Sequence, residues 1–245
     1  SRASERLGEG PNRPNAMIND SGTLEGLPAI TATLAKISVN VTLIFSLERY
    51  EQVIDAYIEG IAQAAANGHD LKHIGSVASF FVSRVDTLHK LLEANGSDEA
   101  KALEGKAAVA NARLAYELFE KKFAEDPRWA DLAAKGAKVQ RPLWASTGTK
   151  NAAYSDCKYV DELVAKHIVN TMPEKTLNAL ADHGNGAPSI EAHEESHAII
   201  NKLAELGINL KDVTDKLEAD GVAAFIKSWD SVLSDVQSGI DRVNA

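Results

Sequence analysis

Along this chain, short runs of β-branched and aromatic residues alternate with long amphipathic stretches. That rhythm limits it to βα units laid on a parallel sheet. The run SVNVTLIF at 38–45 sets Val39, Val41, Leu43 and Phe45 on one face of a strand, with Ser38, Asn40, Thr42 and Ile44 on the other. An amphipathic helix follows over 47–66, with Val53, Ala56, Tyr57 and Ile61 on one stripe and Gly68 as its stop. HIGSVASFFVSRVD (73–86) reads as a second strand, and 98–124 as one long helix. Asp126-Pro127 then supplies an N-cap with Pro at the first helical position. RPLWAST (141–147) and HIVNTM (167–172) are two more strands. Thr171 and Glu174 predict a capping box around Pro173, on a helix that stops at Gly184. Helical patterns over 192–206 and 221–243 close the chain. With no internal repeat and no low-complexity linker, 1–245 reads as one domain whose first 12 residues are irregular.

Composition narrows the function class. The chain has 245 residues, long enough for a sizeable core, and its 44% hydrophobic and 25% charged residues are ordinary for a globular enzyme. A formal charge of -9 argues against nucleic acid as partner, because neutralising phosphates needs clustered Lys and Arg. A local pocket for a small phosphate ester stays compatible with it. The single cysteine, Cys157, excludes an intramolecular disulfide and fits a reducing, cytoplasmic setting. No apolar run reaches the ~20 residues of a membrane span, so no membrane partner is expected. The chain opens without Met, which suggests part of a longer polypeptide.

In βα barrels the chemistry sits where strands end and βα loops begin. Polar residues gather there on four strands: Asn40, Thr42 and Ser46; Ser79, Ser83 and Arg84; Ser146, Thr147, Thr149 and Lys150; Asn170 and Thr171. Any one hydroxyl among them is more simply a helix cap. As a set they describe a hydroxyl-lined site with two cations.

The stretches SVNVTLIFSLERY, SVASFFVSRVD, RPLWASTGTKN and VNTMPEKTL closely resemble the long bacterial form of transaldolase, collinearly from about Arg13 onward. The resemblance implies an α/β fold, a (β/α)8 TIM barrel of the class I aldolase type. This chain would supply an incomplete barrel starting near the fourth strand. It also implies transfer of a dihydroxyacetone unit from sedoheptulose 7-phosphate to glyceraldehyde 3-phosphate in the pentose phosphate pathway. A lysine Schiff base would carry that transfer, with no metal or organic cofactor. The expected partners are small-molecule sugar phosphates, and oligomer formation is left open.

By the same resemblance, Asn40 and Thr42 bind donor hydroxyls and hold the catalytic water. Ser79 contacts the bound triose, and Phe81 is its apolar neighbour beside the imine. Arg84 binds phosphate through its planar fork. Ser146 and the turn to Lys150 form the other half of the phosphate site. The alternative reading of Arg84 is an ion pair with Asp86.

Two features cut across this expectation. Where the family's Schiff-base strand reads like Ile-Lys-Ile-Pro-Gly-Thr, this chain has Ile18-Asn19-Asp20-Ser21-Gly22-Thr23. Asn19 occupies the lysine position, and an amide cannot form an iminium with a ketone. Lys36, the nearest amine in sequence, falls at a helix end on the opposite side. That makes a catalytically inactive sugar-phosphate-binding barrel the second reading. A remote third is a zinc hydrolase, because His193–His197 spells HEESH, with Glu194 as base and His183 as a conceivable third ligand. Its neighbours Glu191, Glu195 and Ser196 make that turn a solvated face. His69, His73, His89 and His167 show no ligand spacing.

Overall fold

The computed structural model describes residues 15–244; the irregular stretch expected over 1–12 lies outside them. Five strands form one parallel sheet in sequential order: β1 (Ile18–Ser21), β2 (Val39–Ile44), β3 (Ser76–Phe81), β4 (Arg141–Ala145) and β5 (Val169–Asn170). Between them run α1 (Leu27–Leu34), α2 (Leu47–Ala66), α3 (His89–Asn95), α4 (Asp98–Lys101), α5 (Ala107–Glu125), α6 (Pro127–Ala134) and α7 (Lys158–Asp161). After β5 come α8 (Glu174–His183), α9 (His193–Glu205) and α10 (Leu210–Asn244). The fold is α/β with a parallel sheet. Among the described residues no helix is long and apolar enough to cross a membrane.

One face of the sheet carries the core. Val39, Val41 and Ile44 of β2, Phe80 of β3 and Trp144 of β4 are fully buried there with Tyr50, Val53 and Ile54 of α2. Phe80 is the hub, edge-on to Trp144 with ring centroids 6.1 Å apart and to Tyr50 at 5.8 Å. The opposite face is where register sets Asn19 beside Asn40, and Ser21 beside Thr42.

Local chemistry explains the elements that match the sequence reading. Ser46 accepts from the Arg49 amide and starts α2 at the expected residue, and Asp126 accepts from the Arg128 amide with Pro127 first in α6. Four expectations fail. The alternation in β2 breaks after Thr42, because Leu43 takes φ +64° and the register against β3 slips between Val41 and Ile44. That bulge puts Ile44, rather than Leu43, among the core residues with Val41. The long helix over 98–124 is two, α4 and α5, divided where Gly105 adopts φ +70°. A Cβ there would come 2.7 Å from the Tyr154 ring, so the break also seats an aromatic. The capping box is absent: Pro173 caps α8 without a side-chain bond, and Thr171 Oγ1 donates to the Trp144 carbonyl at 3.2 Å. The last helix begins at Leu210, not at 221, and runs through Gly221.

Gly221 is where α10 crosses the end of β2; a Cβ there would sit 3.0 Å from Leu43. Beyond the crossing, Phe225, Ile226, Trp229, Val232, Leu233, Val236 and Ile240 are all exposed.

α1 and α2 pack at Gly60, where an added Cβ would approach Leu34 Cβ to 2.7 Å and the Thr31 carbonyl to 2.9 Å. Gly60→Ala is therefore expected to destabilise the chain by about 1–3 kcal/mol despite alanine's better helix propensity. Urea unfolding measures it; a rise in midpoint at unchanged slope would mean that the helices have room to separate.

Candidate active site

The polar face of the sheet is held by one short contact. Ser79 Oγ donates to Asn40 Oδ1 at 2.7 Å, across β3 and β2. Ser79 is buried and Asn40 half-buried. With its oxygen occupied, the Asn40 amide leaves two N–H donors for whatever lies on that face. Asn19 is exposed directly beside it, in register on β1. Asp20 turns the other way, and Thr33 Oγ1 donates to its Oδ2 at 3.4 Å. Thr42 is half-buried, and its carbonyl accepts from the Gly22 amide at 2.7 Å.

At the carboxyl end of β3, Phe81 stacks at a tilt on Phe45, with centroids 5.1 Å apart. The Arg84 guanidinium lies 5.3 Å above the same Phe81 ring. Among the described residues Arg84 meets no carboxylate. The Asp86 ion pair considered above does not form, because that side chain turns inward. Ser83 and Ser146 hydroxyls lie 3.0 Å apart, and the Ser83 amide donates to the Ser146 carbonyl at 3.0 Å, which joins the ends of β3 and β4. Ser146 itself has φ +57°, a strained setting for a residue with a Cβ. Lys150 is exposed and borders a cleft of about 420 Å³ with Ser83, His89, Asn151 and Tyr154. Arg84, on the Phe81 ring, does not line that cleft.

Other expected members are structural. Ser46 is the α2 cap. Thr147 is fully buried, 2.7 Å from the Thr171 carbonyl oxygen and 3.0 Å from Asn170 Oδ1. Thr149 Oγ1 donates to the Ser155 carbonyl at 2.9 Å. HEESH does not assemble a metal site. His197 Nε2 sits 2.8 Å from Glu117 Oε2, and the one group of three ligand atoms among the described residues involves neither His193 nor His197.

Two supports escaped the sequence reading. Asn111, almost wholly buried in α5, donates from Nδ2 to the Phe45 carbonyl at 2.8 Å. Asp86 accepts from the Ala108 amide at 3.0 Å and from the Tyr159 hydroxyl at 2.5 Å. It thus caps α5 from a distance, since Lys106 offers that helix no side-chain cap. The signal for Asn111 was a lone amide inside AAVANARLAYELF; for Asp86 it was an acid just behind an apolar strand.

Burial raises the Asp86 pKa above 3.8, outweighing the Tyr159 and Ala108 bonds and the nearby Lys158, which lower it. The native state holds this proton more tightly than the unfolded chain. Its contribution to stability is therefore complete below the unfolded pKa and is lost as pH rises through the native one. In Asp86→Asn the oxygen can still accept from Ala108 while the amide donates to Tyr159. The stability of this variant relative to wild type should rise between about pH 4 and about pH 7. Urea midpoints at the two ends read this out; an unchanged difference would mean that Asp86 titrates normally.

The family model described as Transaldolase/Fructose-6-phosphate aldolase matches residues 2–236. A transaldolase from Arthrobacter sp. (strain FB24) is 56% identical over 233 residues, covering 94% of this chain and 62% of that protein. Those of Mycolicibacterium smegmatis and Renibacterium salmoninarum are 57% and 55% identical, covering 94% and 97% of this chain and 63% and 64% of theirs. The chain thus spans less than two thirds of the length of these curated relatives. With a family match over nearly its whole length, the chain belongs to the transaldolase/fructose-6-phosphate aldolase family.

Proposed function

We propose that this chain is the larger, C-terminal part of a transaldolase barrel, beginning near the fourth of eight strands. The activity would be transfer of a dihydroxyacetone unit from sedoheptulose 7-phosphate to glyceraldehyde 3-phosphate, in the cytoplasm. The observation that carries the reading is the row of side chains Asn19, Asn40 and Ser79, which crosses three adjacent strands on one face. Asn40 and Thr42 would hold sugar hydroxyls and the catalytic water. Ser79 and Phe81 would border the triose. Arg84 would take the phosphate from one side, and the Ser146–Lys150 turn from the other.

The chemistry needs a primary amine beside Asn40. An amine condenses with the ketone of the donor, losing water, and the resulting iminium accepts the electron pair of the breaking C–C bond. Position 19 is placed for that amine, but its residue here is an amide whose lone pair is delocalised into the carbonyl. Asn19 therefore favours a second reading for the chain as written, a sugar-phosphate-binding barrel without imine chemistry.

Borohydride added with fructose 6-phosphate separates these readings by mass. The wild-type chain should gain no covalent adduct, and Asn19→Lys should gain one. Turnover should stay low even then, because an open sheet admits water to the site. Restoring a family-type N-terminal segment together with Asn19→Lys should bring transfer back. An adduct in the unaltered chain would mean that another lysine is the reactive one. Restored length and lysine with trapping but no transfer would mean that Asn40, Thr42 and Ser79 do not act as proposed.

Arg84→Ala should weaken fructose 6-phosphate binding by about 1.5–3 kcal/mol, the range for hydrogen bonds to charged groups. Calorimetry showing unchanged affinity would remove Arg84 from the phosphate site.

A further inference from the structure

We propose that Asp156, Cys157 and His183 form a site for a soft divalent transition-metal ion of the zinc class, separate from the polar face of the sheet. Their ligand atoms all lie within 4.8 Å of one another, although they come from two segments distant in sequence. His183 Nε2 is 2.9 Å from Asp156 Oδ1 and 4.0 Å from Cys157 Sγ. Tetrahedral zinc, with bonds of roughly 2.0–2.3 Å, sets its ligand atoms about 3.3–3.8 Å apart. The two His183 separations bracket that range, and all three ligand atoms lie within 4.8 Å of one another, so movements of no more than about 1 Å would seat the ion.

Three further observations point to a metal. The other ring nitrogen of His183, Nδ1, lies 3.0 Å from Asp182 Oδ2. Without metal, Nε2 donates to Asp156; a bound ion would displace that proton, and Asp182 would keep the remaining one on Nδ1, the usual outer support of a metal-bound histidine. His183 is also the last residue of α8, where the helix dipole favours a cation. The two segments are already clamped together, since Asp161 Oδ1 accepts from the Asn185 amide at 2.9 Å. Cys157 is fully buried, while Asp156 and His183 are exposed, so the site has a closed floor and an open mouth. That leaves a fourth position for water. One thiolate, one carboxylate and one neutral imidazole carry two negative charges, which match a divalent ion. The sulfur excludes calcium and magnesium.

Bound metal would staple the loop between β4 and α7 to the end of α8. Cobalt(II) is the probe, added to the full chain after chelation. One equivalent should bind with tetrahedral visible bands and a thiolate-to-cobalt charge-transfer band in the near ultraviolet, and zinc(II) should displace it. Cys157→Ser should lose the charge-transfer band. His183→Gln changes an exposed side chain and should keep the fold while weakening binding at least tenfold. Asp182→Asn should weaken it about 10–100-fold. His193→Gln and His197→Gln should change nothing. Absence of stoichiometric binding in wild type would overturn the proposal. So would a charge-transfer band that survives Cys157→Ser, affinity unaffected by His183→Gln, or loss of binding in His193→Gln or His197→Gln.

Discussion

A buried carboxylate organises the carboxyl end of this sheet. Asp86 follows β3, yet its two oxygens serve the first turn of α5 and the Tyr159 hydroxyl of α7. A desolvated acid is unfavourable alone; here it satisfies an otherwise orphaned helix amide and a buried phenol, so each group makes the others tolerable. Because Asp86 is drawn inward, Arg84 two residues earlier meets no carboxylate among the described residues and rests on Phe81. The same anchoring of α5 brings Asn111 under the Phe45 carbonyl and fixes the end of β2. Arg84, the Phe45–Phe81 pair and the strand ends beside them therefore share one hidden support.

Elements were legible in the sequence wherever local chemistry decided them. The boundaries of α2 follow from Ser46 and a clean apolar stripe, and Asp126-Pro127 starts α6 without tertiary help. Tertiary contacts decided the misses. Tyr154 enters at Gly105 and splits a helix that composition alone would continue. Thr171 turns to the Trp144 carbonyl of a neighbouring strand instead of capping its own helix. The last helix extends back to Leu210, whose apolar partners lie elsewhere in the fold.

The site divided in the same way. Asn40 and Ser79 were legible because two-residue alternation puts polar side chains on one face of neighbouring strands. Family likeness then assigned the chemistry that alternation cannot. Asn111 and Asp86 were hidden because a single polar residue in an apolar run has the same appearance whether it is a defect or a brace. The Asp156, Cys157 and His183 grouping was hidden for a different reason: its members belong to separate segments, and HEESH drew His183 toward the wrong partners.

The bulge at Leu43 acts as a phase shifter. Upstream of it, even-numbered residues of β2 face the polar side and odd-numbered ones the helices; downstream the parity reverses. Phe45 can therefore stack on Phe81 while Ile44 fills the core. One extra residue lets a single strand answer two separate demands, so substitutions on either side of Leu43 are felt by different layers of the protein. Gain or loss of one residue at that point would exchange Phe45 and Ile44, placing an aliphatic group where the aromatic floor now lies.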